Sequence, residues 1–253
     1  MKAVEDTAAT VVENLIRELG DARKAVQRRA IDELVAIAAS GDLLVIEKLR
    51  ESIVSADRRA RWAAAYALGQ IGAGAFAMDS ADALCEAMAD DDGDIRWAAT
   101  NLMVRLGREN LTEISARLLT LAADSDHNAR KMALYCIRDL EIAGAELLAV
   151  LESAVHDADV HVRLAALAVL ARIRDASGQS VRIILECMKS DPDPGVRRAA
   201  ASALGNIQNA GADAMAALSY AAADTADDSL ARAARGALDR IDKERLEKHP
   251  LEK

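Results

Sequence analysis

Apolar residues recur along the chain with the spacing of an amphipathic helix. In the segment DPGVRRAAASALGNI (193–207), Val196, Ala200 and Leu204 lie four residues apart. At about 100° per residue these positions share one helix face, and most of the polar positions lie on the other faces. Alanine and leucine lose little conformational entropy in a helix, and the chain has only three prolines. The segment therefore predicts a helix with one buried stripe, which we call helix B.

The helix B pattern occurs seven times, and its first apolar position, numbered zero, recurs every 33 to 35 residues. The seven copies occupy residues 23–37, 57–71, 92–106, 126–140, 159–173, 193–207 and 227–241. Between them lie other apolar stretches, such as 42–55 and 111–124, which predict a preceding helix A. Each period is therefore one helical hairpin. The predicted repeats are 1–40, 41–73, 74–107, 108–142, 143–175, 176–209 and 210–245.

One such hairpin cannot bury its apolar stripe alone, whereas stacked neighbours share a continuous core. The predicted fold class is accordingly all-α: an α-solenoid (α–α superhelix) of about seven hairpins, forming a single domain over residues 1–253.

The recurring motif DxxVRxxAAxALGxI resembles the HEAT-like repeat of the phycobilisome-lyase (PBS lyase) type, and the resemblance covers essentially the whole chain. It implies an α-solenoid whose B helices line the concave surface. It does not imply one function, because similar repeats serve scaffolds, assembly factors, lyase subunits, a metal hydroxylase and DNA glycosylases.

Two charged positions of the motif predict a structural ladder. An Asp stands three residues before position zero in six copies, where its side chain can cap helix B. An Arg stands at position 1 in five copies, and we expect it to share the capping carboxylate of a neighbouring repeat. The capping positions are Asp57, Asp92, Asp126, Asp159, Asp193 and Asp227, and the arginines are Arg61, Arg96, Arg130, Arg163 and Arg197.

Positions 2, 6 and 10 of each helix B point away from the apolar stripe and should form the concave wall. We call these 21 residues the B-face. Four of the chain's six aromatic residues fall on it, and Trp, Tyr and Arg often dominate binding energy at interfaces. The alternative is that these aromatic side chains fill gaps between adjacent B helices or cover a dimer contact. The predicted partner-binding residues are Trp62, Tyr66, Gln70, Trp97, Asn101, Arg105, Lys131, Tyr135, Arg172 and Arg198.

Charge is distributed unevenly between the B-face and the rest of the chain. Seven basic and two acidic residues give the B-face a charge of +5, so the remainder of a chain of net charge −9 carries −14. A basic, aromatic groove inside an acidic shell favours an acidic or mixed acidic and apolar segment of another protein. The same acidic shell argues against nucleic acid as a partner.

Other chemistry finds little support in the sequence. The three cysteines are widely spaced and each lies in an apolar helical pattern, which predicts buried free thiols in a reducing compartment. No uncharged apolar run reaches about 18 residues, so we predict no membrane span and a cytoplasmic location. The stretch HDADVH (156–161) lacks the usual zinc spacing, and no nucleotide-binding or hydrolase motif is present. We therefore predict no catalytic residue, no metal and no cofactor.

Three functions are consistent with these patterns. The first is a non-enzymatic scaffold or assembly factor that binds a partner segment in the groove. The second is a bilin lyase-like subunit, in which tetrapyrrole propionates meet Arg105, Lys131 or Arg172 and the rings stack on Trp97 or Tyr135. The third is a HEAT-like DNA-binding or glycosylase protein with Asp139 as the acid, which the acidic shell disfavours. The oligomeric state is not predicted.

Overall fold

Helices make up every regular element of the structure, a computed structural model that describes residues 2–53, 57–72, 80–173, 178–207 and 210–248. The helices of these ranges are α1 (Lys2–Glu18), α2 (Lys24–Ala39), α3 (Leu43–Ile53), α4 (Arg58–Ile71), α5 (Ser80–Ala87), α6 (Gly93–Glu109), α7 (Leu111–Leu121), α8 (His127–Asp139), α9 (Ala145–Ala154), α10 (Val160–Leu170), α11 (Gln179–Ser190), α12 (Pro194–Leu204), α13 (Gly211–Ala223) and α14 (Asp228–Lys248). The all-α class is confirmed.

The helices alternate as the repeat predicts, with odd-numbered A helices and even-numbered B helices. Each predicted repeat contains one A and one B helix, although α6 runs to Glu109 and α14 to Lys248, beyond their predicted repeat ends. The architecture is an α-solenoid. Whether all seven repeats form one continuous domain stays a prediction.

Contacts divide the chain into an N-terminal unit, residues 1–117, and a C-terminal unit, residues 118–253. In the N-terminal unit α1, α3 and α5 pack in one row, and α2, α4 and α6 pack in a second row. In the C-terminal unit the rows are α9, α11 and α13, and α8, α10, α12 and α14. Most helices of these rows therefore pack on their own hairpin partner and on the next helix of the row, as stacked repeats require.

The B helices are buried on more than their predicted stripe. In α4 the stripe residues Ala60, Ala64 and Leu68 are buried, but so are Ala63 and Ala67 on the flanks. The flanks are covered because α4 packs against α2 and α6 in its own row as well as against the A helices α3 and α5. Only a narrow strip of such a helix remains accessible.

Adjacent B helices approach closely where the motif carries glycine at position 9. A Cβ atom at Gly205, which directly follows α12, would lie 2.7 Å from the Cα of Ala237 on α14, a distance that real Cβ atoms essentially never show. At Gly69 of α4 a Cβ would overlap the side chain of Leu102 on α6. In both units the glycine thus makes room for position 7 of the next helix B.

We expect Gly205→Ala to lower the free energy of unfolding by about 1–3 kcal/mol, because the added methyl overpacks the contact with α14. The backbone itself accepts alanine, since Gly205 has a φ of −69°. The matched control is Gly236→Ala inside α14, where the nearest atom to a new Cβ is Arg240 Nη1 at 3.8 Å. That substitution should stabilise by about 0.5–1 kcal/mol through helix propensity. Urea denaturation measures both, and equal effects would contradict the close approach.

Aspartates cap the B helices as predicted. Asp57, Asp92, Asp126, Asp159 and Asp193 each accept a backbone N–H from the first turn of their helix. Asp227 accepts the N–H of Leu230 at 2.9 Å in the same way. The caps satisfy donors that have no partner within the helix.

The arginine ladder is present, but three of its rungs use a different carboxylate from the predicted one, and the first of these joins Arg61 to Glu86. Arg130 binds Asp157 through two hydrogen bonds of 2.7 and 2.8 Å. Arg163 binds Asp191 through two of 2.9 and 3.1 Å. Asp157 and Asp191 lie two residues before the capping residues Asp159 and Asp193, and each cap accepts two backbone N–H groups. The prediction of a shared cap holds only for the rung between Arg197 and Asp227, at 3.4 Å.

Acid should weaken the Arg130 rung. Burial of Asp157 raises its pKa, but the Arg130 hydrogen bonds and nearby positive charge outweigh burial, and the net pKa is lowered. A lowered folded-state pKa contributes stability that is complete above the unfolded value of about 4 and is lost as the pH falls through the folded value. Asp157→Asn should therefore flatten the loss of stability below about pH 4, measured as urea midpoints across pH. An unchanged slope would contradict this role.

The cysteines are unequally buried. Cys136 and Cys187 are buried, as predicted, whereas Cys85 is half-buried. Burial raises the pKa of the Cys187 thiol to about 11, so this group stays protonated at neutral pH. Of the helices described, none has the length and apolar character needed to cross a membrane.

Candidate functional site

The predicted binding residues divide between the two units, with six in the N-terminal unit and four in the C-terminal unit. In the N-terminal unit Gln70, Asn101 and Arg105 are exposed, and Tyr66 is half-buried. These positions face away from the core as predicted.

Trp62 departs from the prediction because only 8% of it is exposed. Its ring lies 4.9 Å from the Tyr66 ring, centroid to centroid, at an interplanar angle of 48°. Both residues line a cleft of about 270 Å³ that also involves Ile31 of α2 and Ile95 of α6. A side chain of this size at position 2 reaches between the flanking B helices, so Trp62 fills a gap there. The burial of Trp62 thus favours the alternative weighed above, in which this side chain fills a gap between adjacent B helices.

Hydrogen bonding does not hold Trp62 in place. Its Nε1 is buried and has no hydrogen-bond acceptor among the residues that the structure describes. An unmade bond of this kind costs about 1–3 kcal/mol. The shape and apolar area of the indole must therefore provide its contribution to the fold.

Trp97 occupies the same position in the next repeat and is 48% exposed. Asp92 caps α6 and so orients its first turns, and Trp97, Asn101 and Arg105 follow at intervals of four residues along one line. All three are exposed. Arg105 Nη1 donates to the Gly69 carbonyl of α4 at 2.9 Å, which anchors the guanidinium at one end of this line. We call Trp97, Asn101 and Arg105 the α6 line.

The C-terminal unit presents a more basic B-face. Arg172 and Arg198 are exposed, whereas Lys131 and Tyr135 are half-buried. Arg138 lies 5.1 Å from the Tyr135 ring centroid and donates to Asp139 at 2.7 Å. The aromatic side chain and the acidic group of α8 are thus both engaged by one arginine.

Aromatic and basic character separate between the units. The B-face of the N-terminal unit holds three of the four aromatic residues and has two basic residues against one acidic residue. The B-face of the C-terminal unit has five basic residues against one acidic residue and a single aromatic residue. The +5 excess predicted for one groove therefore belongs mostly to the C-terminal unit.

One exposed aromatic residue lies outside the predicted set. Tyr220 of α13 is 83% exposed and stands in the A row of the C-terminal unit. Its helix buries Ala214, Leu218 and Ala221, and Tyr220 falls off that stripe. The sequence contained this signal, because an aromatic residue on the polar side of an amphipathic helix predicts exposure.

The chemical groups of the B-face suit the binding of another molecule. Within the described ranges, no group of three or more His, Cys, Asp or Glu side chains could hold a metal ion. The B-face side chains provide apolar area, hydrogen-bond donors and positive charge.

The sequence matches the HEAT repeats family over residues 12–104 and 147–239. Among solved structures, it is similar to the archaeal HEAT-like repeats protein from Thermococcus onnurineus NA1, with a TM-score of 0.54 and 15% identity over 92% of this chain and 97% of that one. It is also similar to an engineered protein, with a TM-score of 0.51 and 20% identity over 91% of this chain and 68% of that one. No curated protein sequence matches the chain.

At these identities the structural likenesses show the fold alone. The family match is to HEAT repeats in general and does not distinguish the phycobilisome-lyase type. It covers well over half of the residues. The chain belongs to the family of HEAT-repeat proteins.

Proposed function

We propose that this protein is a non-enzymatic interaction module whose B-face binds a segment of another protein, as a scaffold or an assembly factor. The observation that carries the proposal is the exposure of Trp97 on the α6 line. A repeat scaffold built from stacked hairpins is suited to such a role, because equivalent positions of successive helices together form one extended surface.

Trp97 differs in its location from the other exposed apolar side chains of its unit. The large exposed apolar residues of the described N-terminal unit are Val11, Leu43, Trp97 and Leu111. Of these four, only Trp97 lies on a B helix. An exposed tryptophan supplies a large rigid area and a polar N–H at low entropic cost, which is why it often anchors an interface.

The charges of the B-face support a partner with acidic and apolar residues. The B-face of each unit has more basic than acidic residues, two against one in the N-terminal unit and five against one in the C-terminal unit, which attracts carboxylates and speeds encounter. The α6 line of the N-terminal unit accepts apolar or aromatic side chains. We therefore propose an acidic segment that carries apolar residues, and not nucleic acid.

No observation on the described residues favours the tetrapyrrole or glycosylase alternative, because side chains that each would use already have partners. Arg105 already donates to the Gly69 carbonyl, and Asp139 already accepts from Arg138.

The test compares Trp97→Ala with Leu111→Ala. Both side chains are 48% exposed, but Leu111 lies on the A helix α7. We expect wild type and Leu111→Ala to recover the same partner from native lysate, and Trp97→Ala to lose it at least about tenfold. Equal recovery with Trp97→Ala, at a temperature where circular dichroism shows it folded, would contradict the proposal.

A further inference from the structure

A second surface lies in the A row of the C-terminal unit, between α11 and α13. The groove has a volume of about 700 Å³. Leu185 and Met188 of α11 and Ala217 of α13 form its apolar part, and Tyr220 stands at its side. Its size is within the range of sites that accept several side chains. We call it the A-row groove.

The Tyr220 side chain is not needed for the fold. It is the most exposed large apolar residue of the described chain, at 83%. The packing of α13 is provided by Ala214, Leu218 and Ala221, which are buried. A tyrosine left on the surface beside an apolar groove exposes area that a partner can cover.

Carboxylates flank this tyrosine along the groove. Asp213 lies in the first turn of α13, seven residues before Tyr220 and on the same side of the helix, and Asp224 directly follows the last residue of α13. All three line the groove. Arg197 and Asp227, which also line it, pair with each other at 3.4 Å. Lys189 of α11 is the remaining basic group. The unpaired charge around Tyr220 is therefore negative.

We propose that the A-row groove binds a short segment of another protein in which an apolar side chain stands next to Lys or Arg. The apolar side chain packs on Leu185, Met188 and Ala217. The cation lies against the Tyr220 ring, where its attraction to the ring face adds to that of a neighbouring carboxylate.

The charge pattern selects this occupant over others. Asp213 and Asp224 repel an acidic segment, a nucleic acid or an anionic lipid surface. The B-face of the same unit carries five basic residues against one acidic residue, so it repels the basic segment that the A-row groove attracts. The two surfaces therefore select partners of opposite charge, and this inference does not depend on the function proposed for the B-face.

The test uses random peptides displayed on phage, selected on the full chain and counter-selected on Tyr220→Ser. A labelled synthetic version of the most enriched peptide then serves as the probe in fluorescence anisotropy titrations. Further variants are Asp213→Asn with Asp224→Asn in the groove, and Asp239→Asn as a control for an exposed carboxylate of α14 outside it. Trp97→Ala tests whether the B-face contributes.

We expect the enriched peptides to pair Leu, Met or Phe with Lys or Arg. Tyr220→Ser should weaken the probe at least about tenfold. The paired Asp substitutions should weaken it and reduce its salt dependence, whereas Asp239→Asn and Trp97→Ala should leave it unchanged. Failure to enrich any peptide, enrichment of acidic peptides, or equal binding to Tyr220→Ser would overturn the proposal.

Discussion

Trp62→Ala is expected to lower the free energy of unfolding by about 3–5 kcal/mol, the usual cost of removing a buried tryptophan. The indole is 8% exposed and lies beside Ile31 and Ile95 in the cleft between neighbouring B helices. Truncation removes its apolar contacts and opens a cavity there. Urea denaturation followed by circular dichroism measures the effect.

Trp97→Ala is the matched substitution, at the same position of the next repeat. With Trp97 48% exposed, we expect it to change the free energy of unfolding by at most about 1 kcal/mol. Similar losses for the two tryptophans would show that burial does not separate their roles. The contrast also matters for binding assays, since a weaker partner signal with Trp62→Ala would report a damaged fold.

Arg163→Ala is expected to cost about 3–5 kcal/mol, because it leaves the buried Asp191 carboxylate without its bound cation. The same guanidinium donates to the Asp157 carbonyl at 2.9 Å, so the substitution also removes a bond within the turn before α10. The rung joins two successive repeats of the C-terminal unit. Its loss should therefore lower the thermal midpoint of that unit.

Arg61→Ala is the control for the same motif position. Arg61 binds Glu86 at 2.5 Å, but Glu86 is exposed. Exposed ion pairs contribute about 0–1 kcal/mol, so the loss should be correspondingly small. An Arg61→Ala loss as large as that of Arg163→Ala would show that the repeated motif, and not burial, determines the strength of each rung.

The repeat made most of the fold predictable. Periodicity and capping are local, so Asp57 and Asp193 identify the starts of α4 and α12 without knowledge of any distant contact. The pairing of A and B helices follows from the period of 33 to 35 residues. These features need only the spacing of residues along one chain.

The binding surface was harder to predict, because burial depends on neighbouring helices. Trp62 and Trp97 have the same helical angle, yet one is buried and the other is half-exposed. Trp62 shares a cleft with Ile31 and Ile95 of the flanking helices, and such an arrangement of neighbouring helices is not encoded in the helical angle. The acceptors of the arginine ladder were hard to predict for a similar reason. Arg130 binds Asp157 and not Asp159, and this preference depends on hydrogen bonds within the turn that the spacing of residues does not reveal.

The most direct measurement of B-face binding is photo-crosslinking from a benzoylphenylalanine introduced at Asn101, compared with the same group at Leu111. Asn101 lies between Trp97 and Arg105 on the α6 line, and Leu111 begins the A helix α7. In native lysate we expect a discrete partner adduct from position 101 that an acidic, apolar-containing competitor segment reduces, and none from position 111. The same adducts from both positions, or none from position 101, would contradict the account.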